Sequence, residues 1–343
     1  MALRDEILEQ HDIIRNLLVN QTDPIQSIAQ SIGKPSSIFI AARGTSDNAA
    51  RYAKYVWGYN NQIPVALAAP SLFSVYQKPP LLDDNLVVGI SQSGESPDLL
   101  AVLTEANQQG CKTLAITNQV DSPLALEADY VIDIQAGPEL SVAATKSYTA
   151  QLGVIAMLSA AWANDSKLWK QLAEIPNFIS IILEQEKQIQ TYALRYRFMD
   201  QCVVLGRGFN YATAFEWSLK LKELSYVVAQ PYSSADFLHG PIALVSSGFP
   251  VFAVAPQGEV VEDMAALLKK LKEAHRADLF IISEDQDLLQ IADCPLPLPH
   301  GIPEWLSPLV AIIPAQLFSY HLTLIKGIDP DAPRGLSKVT LTK

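Results

Sequence analysis

Two stretches of this sequence carry side chains that could do chemistry. Ser91-Gln92-Ser93-Gly94-Glu95-Ser96 sets three hydroxyls and an amide around one glycine, directly before Pro97, and Gly44-Thr45-Ser46 is a second turn of the same character. Where such turns open a helix they can surround an oxyanion with neutral donors, because the first N–H groups of the helix are unpaired and its dipole favours negative charge there. The same serines would equally serve as ordinary helix caps; two such turns in one half of the chain favour a ligand. The second stretch runs from Glu216 to His239. It puts Lys220 and Glu223 three residues apart on one helical face, with Glu216 two turns before Glu223, and His239 in a loop with Ser233, Ser234 and Asp236. On spacing alone this is a solvated charged face followed by a loop histidine, and it carries no catalytic assignment.

Other chemistries are not indicated. His11, His239, His275, His300 and His321 show neither HExxH spacing nor a paired Cys/His set, so no metal is expected. No GxGxxG follows the first apolar run, so no nicotinamide cofactor is expected, and the chain reads as cofactor-free. Cys111, Cys202 and Cys294 form no CxxC pair and are too few for a disulfide framework, which fits a reducing cytoplasm. A net charge of -11 leaves no basic face for a polyanion, so nucleic acid is not expected as a partner.

The elements that must position these residues show themselves as an internal repeat. SIFIAARG, ending at Gly44, matches CVVLGRG, ending at Gly208, with Arg43 over Arg207. NLVVGISQSGES lies over FPVFAVAPQGEV at the same offset of 164, with Gly94 over Gly258 and Glu95 over Glu259. TLAITN from Thr113 and DLFIIS from Asp278 fall at nearly that spacing, as do closing helices near Ser147 to Ala161 and Pro308 to Ile325. Continuously apolar strands alternating with helical stretches such as LLAVLTEANQQG suit a parallel sheet covered on both faces. The expectation is an α/β protein of two tandem, doubly wound, three-layer α/β/α units with mainly parallel sheets, residues 1–180 and 181–343, joined in the helical region between Asn164 and Arg197. In the first copy the hydroxyl-rich turn follows the second strand; its counterpart, Ala255-Pro256-Gln257-Gly258-Glu259, has lost every hydroxyl.

At 343 residues, 49% apolar and 18% charged, the chain can bury two cores. Its N-terminus mixes charges into an amphipathic helix and lacks the organisation of a signal peptide. The longest apolar run, around Leu152 to Trp162, is about half of what a membrane span requires, so no membrane association is expected.

The residues also resemble a known family, the SIS (sugar isomerase) proteins, and in particular the isomerase half of glucosamine-6-phosphate synthases. The resemblance runs through nearly the whole chain: EILEQ, GTSDN at 44, SQSGESPDLL at 91, AGPELSVAATKSYTAQL at 136, LGRG at 205, LKLKELSY at 219, HGPIALV at 239 and YHLTLIKGIDPDAPRGLSK at 320. It implies two tandem SIS domains acting on a phosphorylated hexose or hexosamine. It further implies phosphate or substrate binding by Gly44, Thr45, Ser46, Ser91, Gln92, Ser93, Ser96 and Ser337, with Val142 lining the sugar pocket. By the same resemblance Glu223 is the base that moves a proton between C1 and C2, with Lys220 assisting. His239 opens the sugar ring from the neighbouring subunit of a homodimer with a shared site, and Lys338 meets the open-chain carbonyl. Departures from the family pattern are Arg43 for cysteine, Asp47 for tyrosine, Ala235-Asp236-Phe237-Leu238 for a Gly-Glu-Leu-Lys run, and Ser337 for alanine. Because the sequence starts at the sugar domain, use of glutamine nitrogen unaided is not expected. The implied activity is glucosamine-6-phosphate deamination. Alternatives are another phosphosugar isomerisation, deglycation of a fructosamine phosphate, or a non-catalytic sugar-phosphate sensor.

Overall fold

The computed structural model describes residues 2–338. They form two compact units, each around one sheet. The N-terminal unit comprises Glu9–Leu140, Ala144–Glu174 and, at the end of the described chain, Ser337 and Lys338; the C-terminal unit comprises Ile175–Leu336, Ser141–Ala143 and the helix α1 (Ala2–Leu8).

In the N-terminal unit the strands are β1 (Ile38–Ala42), β2 (Val65–Leu67), β3 (Leu86–Ser91), β4 (Thr113–Thr117) and β5 (Tyr130–Asp133). They pair all in parallel in the order β2-β1-β3-β4-β5. Strand β3 is buried at every position, as a strand covered on both faces must be. Val87 and Ala115 pack under Leu99, Val102, Leu103 and Ala106 of helix α4 (Pro97–Gln108). The helices α2 (Gln10–Ile32) and α3 (Gly44–Asn61) both pack on α5 (Lys146–Ala163), with the Trp57 indole N–H donating to the Ile155 carbonyl at 3.0 Å. Strand β2, three half-buried or exposed residues at the sheet edge, was missed by the apolar-run criterion; the hydroxyl-rich turn therefore follows the third strand of its unit, not the second.

The C-terminal unit repeats this order with β6 (Gln201–Gly206), β7 (Val228–Ser233), β8 (Pro250–Val254), β9 (Asp278–Ser283) and β10 (Cys294–Pro297), arranged β10-β9-β8-β6-β7 and again all parallel. Its helices α6 (Tyr211–Ser225), α7 (Val261–His275) and α8 (Ser307–Ile325) correspond to α3, α4 and α5. Helix α8 is longer than the apolar run marked in the sequence, and it is apolar enough to cross a membrane by length and composition; 89% of its most apolar window is buried inside the protein. Among its neighbours are the rings of Trp217, Phe252 and Phe280, which meet Phe318 at 5.1–5.9 Å.

One ion pair recurs in both units and explains the first departure from the family pattern. Arg43 donates to the fully buried Asp98 carboxylate at 2.7 Å, and Arg207 reaches Asp263 at 2.7 Å. Each ties the turn after the first strand of its sheet to the helix that follows the third, so Arg43 is a brace.

Candidate functional site

In both sheets the chain leaves the first strand in one direction and later returns on the other side of it, which opens a crevice beyond the carboxyl ends of the two strands at the reversal. In the N-terminal unit those strands are β1 and β3, which are direct neighbours with Ala42 opposite Ile90. The turns that follow them are Gly44-Thr45-Ser46 and Ser91 to Ser96, so the fold brings the two hydroxyl-bearing turns to one rim.

Not every hydroxyl there is free to bind. Ser91 Oγ accepts from the Gly94 N–H at 3.0 Å and shapes the turn, and Ser46, buried on the first turn of α3, accepts from the Gln151 amide at 3.0 Å. Ser96 heads α4 without using its hydroxyl as a cap, and Ser93 Oγ accepts only a long 3.4 Å contact from the Glu95 N–H. Thr45 is half-buried and Gly44 exposed. The turn needs glycine at 94, where φ is 66° and a Cβ would stand 2.0 Å from Ser122 Oγ. Gln92 and Ser93 open into a cleft of about 530 Å³ whose other walls include Asn118, Gln119, Ser122, Glu139 and Lys338.

Lys338 thus lies in the same cleft as the serine turn, its Nζ 2.8 Å from Glu139 Oε2. Glu139 was not singled out in the sequence although it sits in the segment AGPELSVAATKSYTAQL; its distance of 199 residues from Lys338 left no local signal. Its side chain is fully buried. It accepts from the backbone N–H groups of Thr145 and Ser147 at 3.0 Å and from Ser147 Oγ at 2.8 Å, capping α5. Burial pushes this carboxyl up, but the charge and hydrogen bond of Lys338 and the two N–H groups outweigh it and hold it below the ordinary glutamate value. Ser337, adjacent, is exposed. Val142 is half-buried and belongs to the C-terminal unit, with Ser141 donating to Glu6 at 3.3 Å.

The C-terminal unit holds the other group. On α6, Lys220 is 1% exposed and reaches Glu216 at 3.3 Å and Glu223 at 2.6 Å. What read as a solvated face is a buried lysine between two carboxylates at helical spacings of four and three. Burial alone would lower the Lys220 amine; the two carboxylates outweigh it and raise it above the ordinary lysine value. Glu216 is fully buried, whereas Glu223 keeps 23% of its side chain exposed, so of the two only Glu223 is open to a ligand. His239 is exposed and ends a one-turn helix, Ser234–Leu238, that starts where β7 stops. Phe237, fully buried against Tyr232, anchors that helix. Asp47 pairs with Arg51 one turn on, at 3.0 Å. Among the described residues no group of three or more His, Cys, Asp or Glu side chains could hold a metal ion.

Comparison with known proteins sets these features in context. The SIS domain family model matches twice, over residues 31–161 and 196–326, which places one match on each sheet. The chain is 35% identical over 97% of its length to a glutamine–fructose-6-phosphate aminotransferase (isomerizing) of Thermococcus kodakarensis, and covers 56% of that protein; it spans little more than half the length of the curated relatives it matches. It superposes on the C-terminal domain of glucosamine-fructose-6-phosphate aminotransferase from Francisella tularensis with a TM-score of 0.88 at 30% identity, covering 97% of this chain and 98% of that one. A glucosamine-6-phosphate deaminase from Thermotoga maritima matches over the whole of both chains with a TM-score of 0.79 at 23% identity, a likeness of fold.

Proposed function

The chain belongs to the SIS domain family, and from that membership we propose that it is a phosphosugar aldose–ketose enzyme, specifically a glucosamine-6-phosphate deaminase releasing fructose 6-phosphate and ammonia. The observation that carries the reading is the cleft that combines the serine turn and Lys338, together with a carboxylate–lysine–carboxylate row on α6 of which one carboxylate stays accessible.

The serine turn holds the phosphate through Gln92, Ser93, Ser96 and the first N–H groups of α4, with Ser91 and Ser46 shaping it. His239 assists opening of the ring, from the partner subunit of a homodimer. Glu223 removes the proton from C2 of the open-chain aldehyde, leaving a C1–C2 enolamine, and returns a proton to C1. The product is an imine at C2, which water hydrolyses to the ketone and ammonia. Lys220 neutralises the charge that Glu223 carries before it takes the C2 proton and after it returns one to C1, and keeps Glu216 paired. Lys338 polarises the C1 carbonyl; covalent attack on that carbonyl by its amine would first require the pair with Glu139 to open. Proton transfers by one positioned carboxylate are worth about 10²–10⁴-fold in rate.

A specific observation supports a second reading. The run before His239 departs from the synthase pattern, and Phe237 within it is buried against Tyr232; isomerisation of another phosphosugar, or deglycation of a fructosamine phosphate, would use the same base. Purified protein offered hexosamine 6-phosphates in a coupled ammonia assay separates these: ammonia release is expected, and its absence with every hexosamine 6-phosphate would remove the deaminase reading.

A further inference from the structure

The turn of the C-terminal unit that matches the serine turn carries no hydroxyl, and yet it binds an anion, one supplied by the chain itself. The Glu259 N–H donates to Glu304 Oε2 at 2.8 Å, and the Val260 N–H bears on the same carboxylate. The fit is close: a Cβ on Gly258 would stand 2.1 Å from Glu304 Cδ, so only glycine admits this side chain. On the other side, Glu304 Oε1 lies 3.9 Å from the Cβ position of Gly208. Gly208 and Gly258 are the repeat counterparts of Gly44 and Gly94. The Glu304 carboxylate therefore sits between the turns after β6 and β8, at the start of the 15-residue helix α7, beyond the strand ends where this sheet reverses direction. A second acid faces the same turn. Glu284, 3% exposed, accepts from the Gln257 N–H at 2.6 Å through Oε2, while its Oε1 is buried without a hydrogen-bond partner.

We propose that Glu304 is a built-in stand-in for a phosphoryl group: it fills an oxyanion seat in the C-terminal unit that takes free phosphate, or a phosphate monoester, once the side chain is shortened. The filled seat keeps the C-terminal unit a frame and directs the phosphosugar to the serine turn alone. That last consequence rests on the phosphate reading of the serine turn; the seat itself rests only on the geometry around Glu304. Glu284 is tied to the same turn through the Gln257 N–H, so its carboxylate adds negative charge to that turn. Replacing it by glutamine removes that charge and adds a donor.

The test is titration of the purified full chain with inorganic phosphate, at fixed ionic strength in chloride, followed by calorimetry. Glu304→Ala is expected to bind one more equivalent per chain than the wild type, and Glu304→Ala/Glu284→Gln to bind that equivalent at least tenfold more tightly. Glu304→Gln, of unchanged size, gains none. The increment is what is read: if the serine turn does not bind phosphate, the wild type takes none and Glu304→Ala still takes one. Should Glu304→Ala be too unstable to titrate, phosphate must raise its melting temperature above that in chloride by more than it does for the wild type. Equal stoichiometry, or equal phosphate shifts, in Glu304→Ala, Glu304→Gln and wild type overturns the proposal.

Discussion

Lys338 Nζ lies 2.8 Å from Glu139 Oε2, an ion pair in which the carboxylate has no exposed surface and the lysine keeps 27% of its side chain open to the cleft. The acid is thereby a fixed anchor and the amine the reachable partner. Glu139→Gln removes a buried charge's counter-ion role and weakens the cap on α5, so it is expected to lower stability by about 2–4 kcal/mol, read as a drop in the urea midpoint.

The same pair sets a pH dependence. The folded Glu139 carboxyl lies below its ordinary value of 4.5, so its contribution is present in full above that value and is lost as pH falls through the lower, folded value. Urea melts between pH 3 and 7 should show acid destabilisation that is shallower in Glu139→Gln; parallel profiles would show that the pair is not what titrates.

Glu223 and Glu216 answer to one lysine but differ in exposure, which separates chemistry from stability. Glu223→Gln should cost about 10²–10⁴-fold in kcat with little change in melting, because its carboxylate is partly solvated. Lys220→Met should instead destabilise the protein by about 3–5 kcal/mol, since it removes the cation that faces the fully buried Glu216 charge. The double variant Lys220→Met/Glu216→Leu recovers most of that loss if the buried Glu216 charge is the cause.

The serines of the turn should divide the same way. Ser93→Ala and Ser96→Ala each raise KM about tenfold with kcat and melting nearly unchanged, whereas Ser91→Ala lowers stability by about 1 kcal/mol through its lost bond to Gly94. Gly94→Ala, forced against Ser122, should do both.

Sharing of the site between subunits is tested by mixing inactive Glu223→Gln and His239→Asn proteins, with unfolding and refolding together. Partial recovery of activity is expected, and none if each site is built from one chain.

Much of the architecture was legible in the residues. Parallel strands buried on both faces need unbroken apolar runs, and a duplicated unit repeats them at a constant interval, so β1, β3, β4 and their counterparts announced themselves; Val65–Leu67, a half-exposed edge, had no such run to show. The two hydroxyl turns were recognisable because each is contiguous in sequence and opens a helix. That Glu216 has no exposed surface was not, since a charged pattern at spacings of three and four is the same on a wet helix and on a buried one.

The sequence by itself determined the repeat, the strand–helix alternation of a mainly parallel sheet, the family and the residue types at each rim. Tertiary structure alone decided how those groups are partnered: Lys338 with Glu139 across 199 residues, Arg43 with Asp98 across 55, and the Glu304 carboxylate in the turn that had lost its serines. The reason is physical. Periodicity and turn chemistry are written along the chain, but the partner and solvation of a charge depend on which distant backbone packs over it, and that is set only when the layers close.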